Sequence, residues 1–239
     1  MATQLNLEEQ EQLDSLKAFW NKQGNLITWT LILVLAGFAA WNGWNYWQRD
    51  LAVKAGAMFE DLDRAAAAGD AEKTARVFAD MQQRYPKVPI TQQGGLTAAK
   101  LQVDKGQSDA AKASLAWVAE NGAEEEMRSI ARLRLAAVLA DAKQFDEALK
   151  VLDAAKSPEF IALVADRRGD VMMAQGKTDE ARSAWQAAYA AMDAKVDYRR
   201  LIEAKLTSIG AAPGVALAPA ATTVGAAAAA APAASGASK

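Results

Sequence analysis

The stretch RRGDVMMAQGKTDEARSAWQAA, residues 167–188, decides how this chain folds. It begins with helix formers, breaks at QGK and resumes with TDEAR, which places acidic residues at the start of a second helix. Two helices joined by so short a turn must lie antiparallel. Looking outward, the same punctuation recurs at AAGDAEKTA (67–75), DKGQSDAAK (104–112) and DAKQFDEAL (141–149). Aligned on Gly69, Gly106, Lys143 and Gly176, the turns are 37, 37 and 33 residues apart. A period in the thirties built from paired helices predicts stacked helical hairpins.

Side-chain size follows the same register. Five residues after each turn stand Thr74, Ala111, Ala148 and Ala181, small enough for two helices to approach closely. Nine after it stand Phe78, Leu115, Leu152 and Trp185, large residues one turn further along the same face. Gly169 precedes Gly176 by seven and is placed at a helix crossing. Pro86, Pro89 and Pro158 fall between helices. The third and fourth units keep the pattern best, and the alternative is a helical bundle without repeats. The predicted fold class is all-α, with a tetratricopeptide-like solenoid of about four hairpins and a closing helix over 49–209.

Ahead of the repeats lies NLITWTLILVLAGFAAWNGWNYWQRD, residues 25–50, with no charge between Lys22 and Arg49. The 22 residues from Leu26 to Trp47 span roughly 33 Å as a helix, enough for a hydrocarbon layer of ~30 Å. Trp29 near one end, and Trp41, Trp44, Tyr46 and Trp47 near the other, read as interfacial belts. A transmembrane helix over 25–48 is therefore expected. A buried core helix and a cleavable signal peptide are the alternatives. Residues 1–24 argue against the latter, because Glu8, Glu9, Glu11 and Asp14 outnumber Lys17 and Lys22 where a signal peptide is basic. Within this acidic leader, Leu13, Leu16 and Trp20 share one helical face, which suits a protein contact or a cap on the anchor.

Composition removes several classes of function. The 239-residue chain has a net charge of −2 and no basic stripe, so nucleic acid is not an expected partner. It has no cysteine and no histidine, which excludes thiol nucleophiles, Cys/His zinc sites and imidazole-based triads. No enzyme site, cofactor or small-molecule substrate is expected. From Gly210 onward, 15 of 30 residues are Ala, and the segment has few large apolar side chains to bury, so 210–239 is expected to be a disordered tail.

Two charged groups invite sharper readings. Asp166 and Asp170, four apart, have the spacing for a general acid and base or a metal pair; the plainer reading is a solvated helix face. Glu124, Glu125 and Glu126 precede Arg128, Arg132 and Arg134, which suggests acid at a helix start and a Glu124–Arg128 pair rather than a clamp for a peptide carboxylate. The first helices of stacked hairpins line a concave surface. By register they direct Leu96, Val103, Leu133, Leu163 and Met173 there, with Lys100, Asp166 and Asp170 among them. Such a groove suits unfolded or amphipathic client segments, unless these residues simply pack the core.

The chain resembles the YfgM family, the ancillary subunit of the Sec translocon. The resemblance covers about residues 8–209 and rests on LKAFWNKQG (16–24), GWNYW (43–47) and the long stretch 133–188, above all ADRRGD and ARSAW. It implies a single-pass bacterial inner-membrane protein with a cytoplasmic N-terminus and a periplasmic repeat domain. It also implies association with the Sec channel and a PpiD-type periplasmic chaperone, with no catalytic motif. Charge alone points weakly the other way, since Lys17 and Lys22 face Arg49, Lys54 and Arg64 across the span. Two other classes stay open: a structural scaffold for envelope assembly or division, and an accessory subunit of a membrane enzyme complex.

Overall fold

The computed structural model describes residues 7–212. The expected tail lies outside the described residues from 213 onward. Helix α1 runs unbroken from Leu7 to Ala67, 61 residues that take in the leader from Leu7 onward, the apolar span and the first helix of the first hairpin. Then follow α2 (Ala71–Arg84), α3 (Pro89–Asp104), α4 (Ser108–Asn121), α5 (Glu125–Asp141) and α6 (Phe145–Asp153). A short 3-10 turn, Pro158–Phe160, leads into α7 (Ile161–Ala174), and α8 (Thr178–Ala191) and α9 (Tyr198–Ser208) complete the fold. Among the described residues there is no strand.

Each hairpin closes through one residue in the left-handed region: Gly69 at φ 71°, Gly106 at 73°, Lys143 at 60° and Gly176 at 78°. These are the four aligned turn positions. The left-handed residue turns the chain back tightly enough for its neighbours to cap the preceding helix, as when Gln107 N–H donates to Gln102 O and Lys177 N–H to Met172 O. Glycine takes this conformation without strain, whereas Lys143 takes it at a cost.

The small-then-large register holds throughout. Thr74, Ala111, Ala148 and Ala181 are all buried, as are Phe78, Leu115, Leu152 and Trp185. The small side chains bring each hairpin's two helices together, and the large ones fill the space beyond the crossing. One core cluster joins α3 to α7 through Leu96, Leu115, Leu135, Leu139, Leu152 and Val171. A second lies between α8 and α9 around Trp185, Ile202 and Leu206. A third joins α1 to α2 and α3 through Leu62, Phe78, Met81 and Ala98.

The expected divisions at 24/25 and 48/49 both fall within α1, and no cap interrupts the helix at either point. Buried residues of α1 begin in earnest at Ala55, followed by Leu62 and Ala65. At the other end, Gly210 (φ 72°) terminates α9 and Ala211 is buried in the second cluster, so packing continues two residues past 209.

Candidate functional site

The apolar part of α1 has only 6% of its most hydrophobic window buried, and it is the one helix among those described that is long and apolar enough to cross a membrane. A core helix would be covered by its neighbours, and this one is not. Trp29, Trp41, Trp44, Tyr46 and Trp47 are all exposed, with the Trp44 and Trp47 ring centroids 5.3 Å apart and the rings tilted by 55° to one another. Along the helix, Trp29 and Trp47 stand about 27 Å apart.

On the repeats, the first helices of the second, third and fourth hairpins, α3, α5 and α7, border a cleft of about 430 Å³. Its floor is apolar: Ala99, Val103, Leu115, Ala137 and Val138. Lys100, Arg134 and Arg167 stand along it, with Asp104 and Asp141 toward the helix C-termini. Of the eight residues expected to share one groove, six divide among three environments and two stand apart from all of them. Lys100 and Val103 line this cleft. Leu96 and Leu133 belong to the central core or pack against it. Leu163 is half-buried at the start of α7, and Met173 is exposed near its end, but neither lines the cleft.

Asp166 and Asp170 form the third environment, and here the expected solvated face is corrected. Asp166 is 1% exposed. It accepts hydrogen bonds from Lys205 Nζ at 2.8 and 2.9 Å and from Tyr198 OH at 2.8 Å. Asp170 accepts from the same Lys205 at 2.7 Å and from Trp185 Nε1 at 3.2 Å. The cause is α9, which lays Tyr198 and Lys205 across the α7–α8 hairpin and covers both carboxylates. Burial, then the hydrogen bond to Asp166, pushes the Tyr198 phenol up to about 12. The acids are thus engaged in holding the closing helix and are not available to a metal or substrate.

The expected Glu124–Arg128 pair is also corrected. Glu125, one residue on, pairs with Arg128 and Arg132, each at 2.7 Å. Glu124 precedes the first helical turn as N-cap, so Glu125 is the carboxylate that faces both arginines. The Arg128 hydrogen bond holds the Glu125 carboxyl below its ordinary range. Arg128 also donates to Gly122 O at 2.6 Å and Arg132 to Ala119 O at 3.2 Å, which ties the α4–α5 connection together.

Sequence reasoning did not place Arg134, Arg167, Asp104 and Asp141 on this cleft. A signal was present. Arg134 and Arg167 both stand nine residues before their turns, and Asp104 and Asp141 both stand two before theirs. Reading the charged positions in the turn register, as was done for the small and large ones, would have placed them on one surface.

One exposed membrane-crossing helix leading into stacked helical hairpins defines a membrane-anchored protein of the tetratricopeptide repeat-like class, and the tetratricopeptide repeat-like domain family matches residues 17–211. The chain is 31% identical over 182 residues to the ancillary SecYEG translocon subunit of Escherichia coli (strain K12), covering 75% of this chain and 86% of that one. It is 29% identical to the protein of the same name from Neisseria gonorrhoeae, covering 85% of this chain and 98% of the relative. The counterpart from Haemophilus influenzae is 28% identical, over 77% and 89%. The chain belongs to the ancillary SecYEG translocon subunit family.

Proposed function

We propose that this protein is a non-catalytic, membrane-anchored interaction subunit that associates with the Sec translocon of the bacterial inner membrane. The observation that carries the reading is the extent of the likeness: relatives named for that role match 75% and 85% of this chain, and the family match over residues 17–211 takes in both the anchor and the repeats. In this reading the division of labour follows the expected boundaries. Residues 1–24 face the cytoplasm, 25–48 cross the bilayer with the tryptophan belts at its two surfaces, and 49–209 stand in the periplasm. The α3/α5/α7 cleft receives a partner, either a PpiD-type chaperone or a client segment leaving the channel. Long domains translocate largely regardless of flanking charge, so the basic residues after the span do not oppose this orientation.

The test is site-specific photocrosslinking in intact cells, with the photoreactive residue at Trp44 in the span and at Val103 in the cleft. Trp44 adducts to the Sec channel and Val103 adducts to a periplasmic chaperone or nascent chain support the reading. Adducts only to cytoplasmic proteins at Val103 would refute it. Protease added to spheroplasts gives an independent check, since it should digest the repeat domain.

A further inference from the structure

We propose that the recess beneath the α2–α3 connection, on the tryptophan-bearing face of α1, binds the headgroup of an anionic phospholipid. The inference rests on the reading of 25–48 as the membrane crossing and adds a second point at which the protein holds the bilayer.

Helix periodicity puts this connection and the tryptophans on one side of α1. Ala55, Leu62 and Ala65 mark the face of α1 that is buried against the repeats. Leu62 lies 18 positions beyond Trp44, and Ala65 lies 18 beyond Trp47, about five full turns, so both indoles share that face. Leu51, between Trp47 and Ala55, is half-buried along it. Helix α2 returns antiparallel to α1 and meets it at the start of α3. There a Cβ at Gly94 would stand 3.2 Å from Leu62 Cδ1 and 3.6 Å from Met81 Sδ. Arg84 to Val88 therefore hang below that crossing, toward the span. Lys54 fixes their level. The hydrogen bond that it donates to Asp50, and then that carboxylate's charge, hold the Lys54 ammonium above its ordinary range, and Tyr85 and Tyr46 add to the effect as their phenols ionise. A loop residue and a belt residue thus both stand near one side chain of the neck.

The connection supplies two cations that the protein leaves unpaired. Arg84 and Lys87 are exposed, and among the described residues neither has a carboxylate within 4.0 Å. Asp80, one turn before Arg84, does not reach it. Lys54 is neutralised by Asp50 at 2.6 Å, so the recess keeps the charges of Arg84 and Lys87. The N-terminus of α3 adds its partial positive charge on the same side, with no acidic residue in its first turn. The repeat does not dictate this basic character, since the next such connection, around Gly122, is flanked by Glu120, Glu124, Glu125 and Glu126. Counting from Met81 and Leu62 down to Lys54, the loop stands level with residues 54–57, roughly 10–15 Å of helix beyond Trp47. The headgroup layer outside the hydrocarbon is about 5–7 Å thick, and the long stems of Arg84 and Lys87 reach down to it. Phosphate oxygens there meet the two cations, while glycerol and the upper acyl carbons lie against Trp44, Trp47 and Leu51. A zwitterionic headgroup carries its own cation and is the poorer match.

The chain has no cysteine, so a single introduced one carries a unique fluorescent label. The experiment uses the full chain in nanodiscs of phosphatidylcholine, alone or with one-third phosphatidylglycerol. Bimane at Q83C reports on the connection, at Q107C on the far end of the repeats and at L33C on the middle of the span. With a headgroup-nitroxide lipid as quencher, phosphatidylglycerol should raise the quenching at Q83C at least twofold and leave Q107C unchanged. The rise should shrink as salt increases. The R84Q/K87Q double variant should abolish it while the melting temperature stays unchanged. Native mass spectrometry of the released chain should show one retained phosphatidylglycerol, lost in the double variant. Equal quenching at Q83C in both lipids, a response that survives R84Q/K87Q, or displacement of the retained lipid by inorganic phosphate at constant ionic strength overturns the proposal. An acyl-chain nitroxide at L33C separates the two levels of inference. Quenching at L33C without a lipid response at Q83C keeps the membrane crossing and removes the headgroup site. No quenching at L33C removes both.

Discussion

Gly169→Ala should destabilise the repeats, although the same substitution in an open part of the same fold should stabilise them. A Cβ at Gly169 would lie 2.4 Å from Trp185 Cδ1 and Nε1 and 2.9 Å from Cγ. Ordinary carbon contacts are about 3.5–4.0 Å, so the ring would have to retreat by roughly 1 Å. It is not free to do so, because Nε1 donates to Asp166 O and Asp170 Oδ1, both at 3.2 Å. Overpacking costs about 1–3 kcal/mol, and a weakened indole hydrogen bond adds about 0.5–1.5 kcal/mol. Alanine's better helix propensity returns about 1 kcal/mol. The net expectation is a loss of about 1–3 kcal/mol, or a melting temperature lower by roughly 2–12 °C for a domain of this size. Gly56, within α1, has nothing within 4 Å of its would-be Cβ. There the propensity gain stands alone, and Gly56→Ala should raise the melting temperature by roughly 2–4 °C. The assay is thermal unfolding followed by circular dichroism at constant detergent. A cycle with Trp185→Phe isolates the contact: in that background Gly169→Ala should lose at least about 1 kcal/mol of its penalty. Shifts of the same sign at positions 169 and 56, or no coupling to Trp185, would refute the close α7–α8 crossing.

Four further outcomes follow from the packing. Lys143→Gly should stabilise by about 0.5–1 kcal/mol in denaturant titration, because φ 60° is strained for lysine and easy for glycine; a loss would mean that the turn is not left-handed in solution. Ala111→Leu should cost about 1–3 kcal/mol, as at Ala181, if the second hairpin shares the fourth one's crossing, and a harmless result would remove it from the register. Lys205→Met should cost about 2–4 kcal/mol in denaturant titration by leaving buried Asp166 without its cation. The raised Tyr198 pKa contributes stability that is fully present below pH 10 and is lost as pH rises toward 12, since the unfolded phenol ionises first. Unfolding titrations at pH 9 and pH 11.5 should therefore show a loss of about 1–2 kcal/mol that shrinks in Tyr198→Phe.

The hairpins were legible because each turn leaves marks that a single sequence retains: a left-handed residue, a small one five later and a large one nine later. Even Lys143, which lacks glycine's excuse, kept its place through Ala148 and Leu152. The closing cluster was not legible. Asp166 and Asp170 look like any acidic face of a helix, and their partner Lys205 lies 39 residues beyond Asp166, outside the repeat register. Periodicity describes neighbours within a hairpin, whereas the docking of α9 depends on contacts that no period encodes. The cleft was legible in part, since Lys100 and Val103 were placed on it. Leu96 and Leu133 were assigned to the same surface because apolar periodicity does not distinguish a lining residue from one that packs beneath it. The continuity of α1 was hidden by its composition, which passes from acidic to apolar to amphipathic with no change of backbone.

That continuity has a mechanical consequence. Ala55 lies only eight positions beyond Trp47, about 12 Å of helix, with no joint between them. Span and repeats are therefore keyed to one shaft. The compass direction of the cleft around the membrane normal is fixed by which face of the span meets its neighbours in the bilayer. Each residue added near Val53 would swing everything beyond it by about 100° and lift it by about 1.5 Å, whereas seven added together would restore the bearing to within about 20°. The bilayer contacts of the anchor thus aim the repeats, and the length of this short neck sets their azimuth as well as their height.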